Sequence, residues 1–329
     1  MSEWIQQPDT VDHSTLAAFC ECPSRGRMVS DGIVTECSRD LLVGQELHDC
    51  LARVTKQFIR IGATVTNTEL ASWLREELAH VRPDLQPSVL DAIRPTVWSW
   101  ANWLWEQGRL SIMRHDGGEG QYSGQLAVNI SGVLVTSELD LLLATPSPEL
   151  VRIVDYKSGW SNWDEDAISN SLQFQLHAFL VMTNYEQVES VDVRVWKTRT
   201  NSLTHAVRFK RTRMDEIRAR LEQAVEVWKR NRQLPLAEVD CHPKFDYCQH
   251  CPALLMCEPG QRCTGVFQPP EGLLSELVQL TARCDRITEI LSEQVDATGQ
   301  DVTVNGHAFG LGKPKANRKP TKSLYSVAD

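Results

Sequence analysis

The chain has 329 residues, 42% hydrophobic and 23% charged, with a formal net charge of −9 and a pI near 5.5. This composition is typical of a globular chain with one large domain or two small ones, and it excludes a protein coated uniformly in positive charge. The chain contains no long apolar run and its start, MSEWIQQPDTVD, is polar, so we expect no membrane span, no secretory signal and a cytoplasmic protein.

Helices are predicted for the first third of the chain, an N-terminal helical region at residues 1–115. Helical periodicity covers residues 13–60 with a break near Asp31-Gly32, and it places His48 on the second helix. Two further helices are predicted at Asn67–His80, with a cap at Thr66 or Asn67, and at Ser88–Gln107.

Strands dominate the next region, residues 116–235. Runs of β-branched and apolar residues predict a three-stranded antiparallel meander at Gln125–Ile130, Val133–Ala144 and Glu149–Tyr156. A helix near Asp166–Met182 then allows parallel pairing of the strands that follow it, which are predicted at Ser190–Arg199 and Ser202–Arg208. A helix over residues 211–232 closes this core.

The remainder is divided into a cysteine-containing region, residues 236–265, and a C-terminal region, residues 266–329. A helix is predicted over Glu271–Thr298, with an apolar stripe that we expect to pack on the protein itself. A small hairpin is predicted over Asp301–Gly312, and the last, Lys/Pro-rich residues are expected to be disordered.

Three polar side chains lie at the ends of the predicted strands, in the segment SELDLLLATPSPELVRIVDYKSG. Asp140 lies within a run of leucines, where a carboxylate is costly unless it is paired or bound to a metal. Because side chains alternate along a strand, Asp155 and Lys157 project from one face and Tyr156 from the other. If the strands pair, the two acids and the amine form a site suited to a hard divalent cation and to phosphodiester hydrolysis.

The segment VDYKSG at residues 154–159 resembles the signature of the PD-(D/E)XK nucleases, in particular of their RecB-like branch. GQELH at residues 44–48 resembles the G-x-x-x-H helix of that branch, and QLHAF at residues 175–179 its Q-L-x-x-Y helix. Ser137 stands where a glycine often precedes the first aspartate. The resemblance covers roughly residues 14–265. It implies an α/β, restriction-endonuclease-like core, a mixed central sheet flanked by helices.

The resemblance also implies a role for each residue of the site. Asp140 and Asp155 would bind Mg²⁺ or Mn²⁺, and the two further candidate ligands are His48 and the backbone carbonyl of Tyr156. Lys157 would lie beside the attacking water and the phosphate. The glutamine of the Q-L-x-x-Y helix, here Gln175, would position the lysine or the nucleic-acid backbone.

Ten cysteines in a chain expected in the cytoplasm favour metal ligation over disulfides. The spacing C-x2-C-x5-C, at Cys248, Cys251 and Cys257, is compatible with zinc or with an iron–sulfur cluster. The opening STLAAFCECP resembles that of four-cysteine RecB-like nucleases, such as AddB-type helicase–nuclease subunits and the exonucleases of CRISPR spacer acquisition.

This second resemblance implies a [4Fe–4S] cluster that joins the N-terminal and C-terminal helical regions through Cys22, Cys248, Cys251 and Cys257. Zinc is the alternative cofactor, and either Cys20 or Cys241 is the alternative to Cys22.

DNA is the predicted partner, as single strands or duplex ends. Residues 194–232 hold twelve basic and four acidic residues, and residues 313–322 hold five basic residues and no acidic one. These regions could provide a contact surface for nucleic acid, although a solvated helix face explains residues 211–232 equally well.

The branch implies a DNA exonuclease in recombination, repair, phage DNA processing or CRISPR adaptation, beside a helicase, recombinase or integrase. The chain has no Walker-type phosphate loop, so ATP-driven unwinding would need another subunit. Two alternatives are an inactive nuclease-fold module that binds DNA or recruits partners, and a zinc-ribbon DNA-binding protein.

Overall fold

A computed structural model gives the structure of the chain. It describes residues 9–33, 39–61, 66–93, 97–107, 113, 126–159, 161–249, 251–265, 270–304, 307–310 and 323–326. The chain forms two compact units, Met1–Ala253 and Leu254–Asp329. None of the helices in these described ranges is long and apolar enough to cross a membrane.

The predicted N-terminal helices are present but more finely divided. They are α1 (His13–Glu21), α2 (Pro23–Ser30), α3 (Arg39–Ile61), α4 (Asn67–Leu78), α5 (Gln86–Ile93) and α6 (Val97–Gln107). Pro23 separates α1 from α2, since a residue before proline disfavours helical backbone and Cys22 is extended there. Helix α4 begins as predicted, with a capping box between Thr66 and Glu69. The single helix predicted over 88–107 is replaced by α5 and α6.

A first sheet has the order β1-β3-β2, formed by β1 (Asp9–Asp12), β2 (Leu126–Ile130) and β3 (Val133–Ser137). Strand β1, which the sequence analysis did not predict, runs parallel to β3, and β2 runs antiparallel to it. At the end of β1, Asp12 caps α1 by accepting a hydrogen bond from the Thr15 amide at 2.8 Å. The sheet therefore fixes the N-terminus of α1.

The second sheet has the order β4-β5-β6-β7, with β8 also paired to β6. Its strands are β4 (Leu141–Ala144), β5 (Leu150–Lys157), β6 (Ser190–Lys197), β7 (Ser202–Leu203) and β8 (Val207–Lys210). The predicted single strand Val133–Ala144 is therefore wrong: it ends at Ser137, and β4 begins at Leu141 in a different sheet. Asp140 lies in the bend between them, where its side chain, not its backbone, binds β5.

Two helices, α7 (Glu165–Asn170) and α8 (Leu172–Asn184), replace the single helix predicted at Asp166–Met182. The break falls at Ser171, whose backbone is extended. This crossover makes β5 and β6 parallel, with Lys157 the register partner of Lys197, which confirms the predicted parallel pairing. Helix α9 (Met214–Gln233) follows β8.

The side chains of β5 alternate between two hydrophobic layers. Ile153 lies in the layer that includes Phe174 of α8 and Leu221 of α9. Val154 and Tyr156 lie in the layer built by α3 to α6. The polar end of β5 is therefore enclosed by α8 on one face and by α3 on the other, within a mixed sheet flanked by helices.

The first unit also contains a short helix, α10 (Phe245–Cys248), and the second contains α11 (Glu258–Thr264), α12 (Pro270–Thr298) and an antiparallel sheet of β9 (Val302–Val304), β10 (His307–Gly310) and β11 (Ser323–Ser326). Strand β11 was not predicted, and the Lys/Pro-rich residues 313–322, which were expected to be disordered, lie outside the described residues. Four side chains of the predicted α12 stripe are 45–59% exposed: Leu277, Leu280, Ile287 and Ile290.

Candidate active site

The candidate site lies at the carboxyl end of β5. Asp155 and Lys157 project from the same face, and Lys157 Nζ lies 2.8 Å from Asp155 Oδ2. Asp155 is only 2% exposed. Burying a carboxylate costs free energy unless the carboxylate is paired, so the ion pair with Lys157 offsets the cost of burying Asp155.

Asp140 joins the same site from the bend before β4. Its Oδ2 accepts a hydrogen bond from the backbone N–H of Tyr156 at 2.7 Å, which ties the bend to β5. Its Oδ1 lies 3.0 Å from His48 Nδ1. The two acids, the amine and the histidine that the sequence singled out are therefore brought together.

Helix α3 delivers His48 to the site because it approaches the end of β5 closely at Gly44. A Cβ at position 44 would lie 2.9 Å from Ser158 Oγ, closer than ordinary contacts allow. His48 lies one helical turn further along the same face and reaches Asp140. The G-x-x-x-H spacing thus has a physical basis in this chain: the glycine permits the approach and the histidine makes the contact.

Tyr156 points to the opposite face of β5, as predicted. Its hydroxyl accepts a hydrogen bond from Trp100 Nε1 at 3.1 Å, inside the helical layer. Its ring packs edge-to-face on the ring of His48, with 5.9 Å between the centroids. Tyr156 thus supports His48 with its ring and Asp140 with its backbone N–H.

Two glutamines on α8 differ in their contacts. Gln173 Nε2 donates to Asp155 Oδ1 at 3.0 Å, and Gln173 Oε1 accepts from Lys157 Nζ at 3.1 Å. Gln175, which was predicted to position the lysine, instead donates to the carbonyl of Ser169 at 2.7 Å. With about 3.6 residues per turn, side chains two positions apart point to nearly opposite sides of a helix. Gln173, and not Gln175, therefore contacts the lysine. The other role predicted for Gln175, positioning the nucleic-acid backbone, stays a prediction.

The two carboxylates have opposite pKa shifts. Burial alone would raise the pKa of Asp140, but the charge and hydrogen bond of His48 outweigh it and lower the pKa to about 2. Burial raises the pKa of Asp155; Lys157 opposes this rise and Asp140 adds to it. Burial would lower the pKa of His48, yet the charge of Asp140 raises it. Asp140 is thus anionic at neutral pH, and the cation beside Asp155 opposes the rise in the pKa of that carboxylate.

The chemistry of this donor set fits a hard divalent cation, since carboxylates and an imidazole are ligands for Mg²⁺ and Mn²⁺. In the present arrangement Lys157 and His48 neutralise the two acids, each within 3.0 Å. Accordingly, no group of three His, Cys, Asp or Glu side chains in the described part of the chain could hold a metal ion as it stands. The residue types of the site nevertheless fit such an ion.

A group formed by the buried Ser137 and His177 and the half-buried His13 adjoins the site, and it was not predicted from the sequence. Ser137 Oγ lies 2.8 Å from His177 Nε2 and 3.0 Å from His13 Nδ1. Burial lowers the pKa of His177 to about 3, and the charge of His13 adds to the effect. Burial, with the charge of Lys157, also lowers the pKa of His13. The one signal in the sequence was Ser137 in a position where the resembling family often has glycine.

Thiols of the first unit meet where α2 begins. Cys22 Sγ lies 4.0 Å from Cys241 Sγ. The backbone N–H of Ser24 donates to the carbonyl of Asp240 at 2.9 Å, so the backbone holds the same two segments together. This places residues 219 positions apart in the chain side by side.

The C-x2-C pair lies near this point. The Cys251 amide donates to the carbonyl of Cys248 at 3.1 Å. Burial raises the pKa of the Cys251 thiol, and the thiols of Cys22 and Cys248 contribute to the rise. Cys257 belongs to the second unit, where it precedes α11, and Cys20 is exposed. Among these thiols the structure shows one contact, between Cys22 and Cys241, and it places Cys251 near enough to Cys22 and Cys248 to feel their charges.

Most basic residues of segment 194–232 make contacts within the fold. Arg208 pairs with Asp192 at 2.7 Å. Arg211 donates to backbone carbonyls in the connection from α8 to β6. These contacts do not bury the charges: Arg208, Arg213 and Arg230 keep side-chain exposures of 50%, 54% and 64%. The nucleic-acid surface over residues 194–232 therefore stays a prediction. The second predicted basic segment, 313–322, lies outside the described residues.

Comparisons with known proteins bear on this geometry. A family model described as the PD-(D/E)XK nuclease superfamily matches residues 10–258. No curated protein matches the chain. Among solved structures, the chain is similar to a "Putative exonuclease" from Eubacterium rectale, with 10% sequence identity, a TM-score of 0.41, and coverage of 79% of this chain and 90% of that chain. Because the family match spans most of the chain and the whole site, the chain belongs to the PD-(D/E)XK nuclease superfamily.

Proposed function

We propose that the protein is a metal-dependent deoxyribonuclease of the RecB-like branch, acting as an exonuclease. The observation that carries the proposal is that Asp140, Asp155 and Lys157 meet at one strand end in a member of a nuclease superfamily. The buried Asp155 supports it as well, because a carboxylate whose pKa is raised by burial and by a second acid favours a nearby cation.

In this proposal Asp140 and Asp155 hold Mg²⁺ or Mn²⁺, with His48 and the backbone carbonyl of Tyr156 as further ligands. When bound, such an ion activates water and neutralises charge on the phosphate. Lys157 directs its ammonium at the phosphate oxygens, where negative charge develops. Gln173 takes the positioning role, because it touches the lysine and its aspartate together.

Digestion of linear and circular DNA, each as single strands and as duplex, tests the proposal. We expect degradation from ends with Mg²⁺ or Mn²⁺ and none in EDTA. Cleavage that persists in EDTA would contradict the metal, and cleavage of closed circles would contradict exonuclease action. Intact DNA under all conditions, with DNA binding retained, would favour the alternative of a nuclease-fold binding or recruiting module.

We also propose that Cys22, Cys248 and Cys251 bind a structural [4Fe–4S] cluster, as the branch resemblance implies. There are two candidates for the fourth ligand. The family spacing favours Cys257, whereas the contact with Cys22 favours Cys241. Zinc is the alternative, and one observation favours it: the 4.0 Å between Cys22 Sγ and Cys241 Sγ. Two thiolates on one tetrahedral zinc, with Zn–S bonds of about 2.3 Å, would lie about 3.8 Å apart.

Metal analysis and visible absorption of protein purified without oxygen distinguish these cofactors. We expect iron, sulfide and a brown colour that Cys251→Ala abolishes together with a fall in Tm. A colourless protein with stoichiometric zinc would refute the cluster. Comparing Cys241→Ser with Cys257→Ser identifies the fourth ligand, since only the variant that removes a ligand loses metal.

A further inference from the structure

A pocket in the first unit lies beside the candidate active site and has no part in the chemistry proposed above. It occupies about 390 Å³ between the start of α7 and the segment from β7 to β8. This volume lies within the roughly 300–1,000 Å³ of small-ligand pockets. Its apolar walls are formed by Trp163, Ile168, Leu203, Ala206 and Val207.

Two relationships join the pocket to the site. The ring of Trp163, a wall of the pocket, has its centroid 5.6 Å from Lys157 Nζ. Lys197, another residue of the lining, is the register partner of Lys157 on the parallel neighbour strand β6. Adjacent strands lie about 4.8 Å apart and paired residues project from the same face. The pocket therefore begins one strand away from the ammonium assigned to the phosphate.

We infer that this pocket binds an unpaired nucleobase of the substrate strand, adjacent to the phosphate held at Lys157. The inference rests on the proposed nuclease function. A flat indole and aliphatic side chains are the surfaces on which bases stack without regard to sequence. Around them, the lining offers groups able to bond the polar edge of a base: a carboxylate, an ammonium and an imidazole, at Glu165, Lys197 and His205.

The charges of the pocket favour a base over a second phosphate. Asp164 and Glu165 place two carboxylates in the lining opposite the single lysine, Lys197. Asp164 is engaged by the fold, since its Oδ1 accepts from the Ala167 amide at 2.8 Å and its Oδ2 from Asn162 at 3.2 Å. A neutral flat group with polar edges suits such a lining better than an anionic phosphodiester does.

Binding of a base in this pocket affects which DNA substrates the enzyme prefers. A base that is paired and stacked in a duplex must be extruded before it can enter a pocket, which costs free energy. A base in a single strand or at a frayed end enters at lower cost. We therefore expect the enzyme to cleave single strands and frayed ends in preference to internal duplex.

Single-stranded oligonucleotides with one abasic position, moved stepwise along the strand, test this inference. Binding is measured by fluorescence anisotropy in EDTA, and cleavage is measured with Mg²⁺ or Mn²⁺. With wild-type protein we expect the abasic change at one position beside the cleaved bond to weaken binding about tenfold, the order that one stacked base contributes. Trp163→Ala should weaken binding of the intact strand about as much and remove the effect of the abasic position.

A second variant and a control keep the test decisive. Ala206→Trp fills the pocket from the β7–β8 side and should also remove the abasic effect. Trp103→Ala removes a half-buried tryptophan that packs on Trp196 in the helical layer, and it should leave the effect intact. Equal binding of intact and abasic strands by wild-type protein would overturn the inference, as would an abasic effect that survives in Trp163→Ala. Base-dependent binding without cleavage would support the pocket and overturn the nuclease proposal.

Discussion

Gln173 contacts Lys157 at 3.1 Å through its carbonyl oxygen and Asp155 at 3.0 Å through its amide nitrogen, so one side chain holds both members of the ion pair. A glutamine amide presents an acceptor and a donor at a fixed separation and adds no charge of its own. Helix α8 therefore sets the position of the lysine through this residue, while the charges of the site remain those of β5, the bend before β4 and His48 of α3.

Gln173→Ala should lower kcat for DNA cleavage about tenfold to a hundredfold, because a small misplacement of a catalytic group has effects of that order. KM should change little, since both polar atoms of the glutamine side chain are engaged by Lys157 and Asp155. Steady-state kinetics on a linear single strand measures both constants.

Gln175→Ala is the matched control on the same helix. It removes the hydrogen bond to the Ser169 carbonyl, so it should lower Tm while kcat of the folded protein stays near that of the wild type. The opposite pattern, with Gln175→Ala inactive and Gln173→Ala fully active, would show that the site uses the other glutamine.

Lys157→Met keeps the aliphatic stem and removes the ammonium. We expect kcat to fall about 10²–10³-fold, the usual result of removing one group that stabilises charge in the transition state. DNA binding in EDTA, measured by anisotropy, should stay within about twofold of the wild type, because one phosphate contact among many is lost. Full cleavage by this variant would remove the lysine from the mechanism.

The same substitution should lower metal-free stability, because it leaves Asp155 buried without its cation. Breaking a buried pair costs about 3–5 kcal/mol, and the lysine side chain is 23% exposed, so we expect the lower end of that range. Lys157→Met/Asp155→Asn, which removes both charges, should recover much of this loss in urea unfolding. A double variant no more stable than Lys157→Met would mean that the pair is not coupled in the fold.

The local features of this site could be predicted from the sequence. Alternation along β5 gives the shared face of Asp155 and Lys157, and a lone acid in a run of leucines marks Asp140. The spacing from Gly44 to His48 is one helical turn, so it also predicts a shared face. Each of these inferences needs only the geometry of one element and the cost of burying a charge.

The remaining features of the site depend on contacts between residues that are far apart in the chain. The geometry of a single helix or strand does not predict such contacts. The bend at Asp140 follows from a contact with the Tyr156 amide in the neighbouring strand, so a continuous apolar run looked like one strand. The choice between Gln173 and Gln175 depends on how α8 is rotated against the sheet. His13 and Ser137 are 124 positions apart in the chain, and only the first sheet, through its unpredicted strand β1, brings them together.

Gly44→Ala should separate activity from stability. Alanine is favoured over glycine in a helix by up to about 1 kcal/mol, which raises stability, but its Cβ would meet Ser158 Oγ at 2.9 Å, so α3 or the Ser158 hydroxyl must shift. Since His48 is carried by α3, we expect cleavage to fall severalfold while Tm is unchanged or higher.

Ser158→Gly in the same protein removes the obstructing hydroxyl and should restore most of the activity of Gly44→Ala. Thermal unfolding and cleavage rates of the two single variants and the double variant measure this. If Ser158→Gly does not restore the activity of Gly44→Ala, the close approach of Gly44 to Ser158 is not the reason why activity falls.

The stability of the protein should depend on pH through His177, which is 1% exposed and has its pKa lowered to about 3 from an ordinary value near 6.5. Between these values the unfolded chain binds a proton that the folded protein excludes. The stability that neutral His177 provides is therefore complete above about pH 6.5 and is lost as the pH falls, by up to about 1.4 kcal/mol per pH unit.

His177→Gln should make the unfolding free energy less dependent on pH between 6.5 and 4.5, measured in urea. The exposed His80→Gln should leave the slope as in the wild type, and an unchanged slope in His177→Gln would mean that His177 is charged in the folded protein.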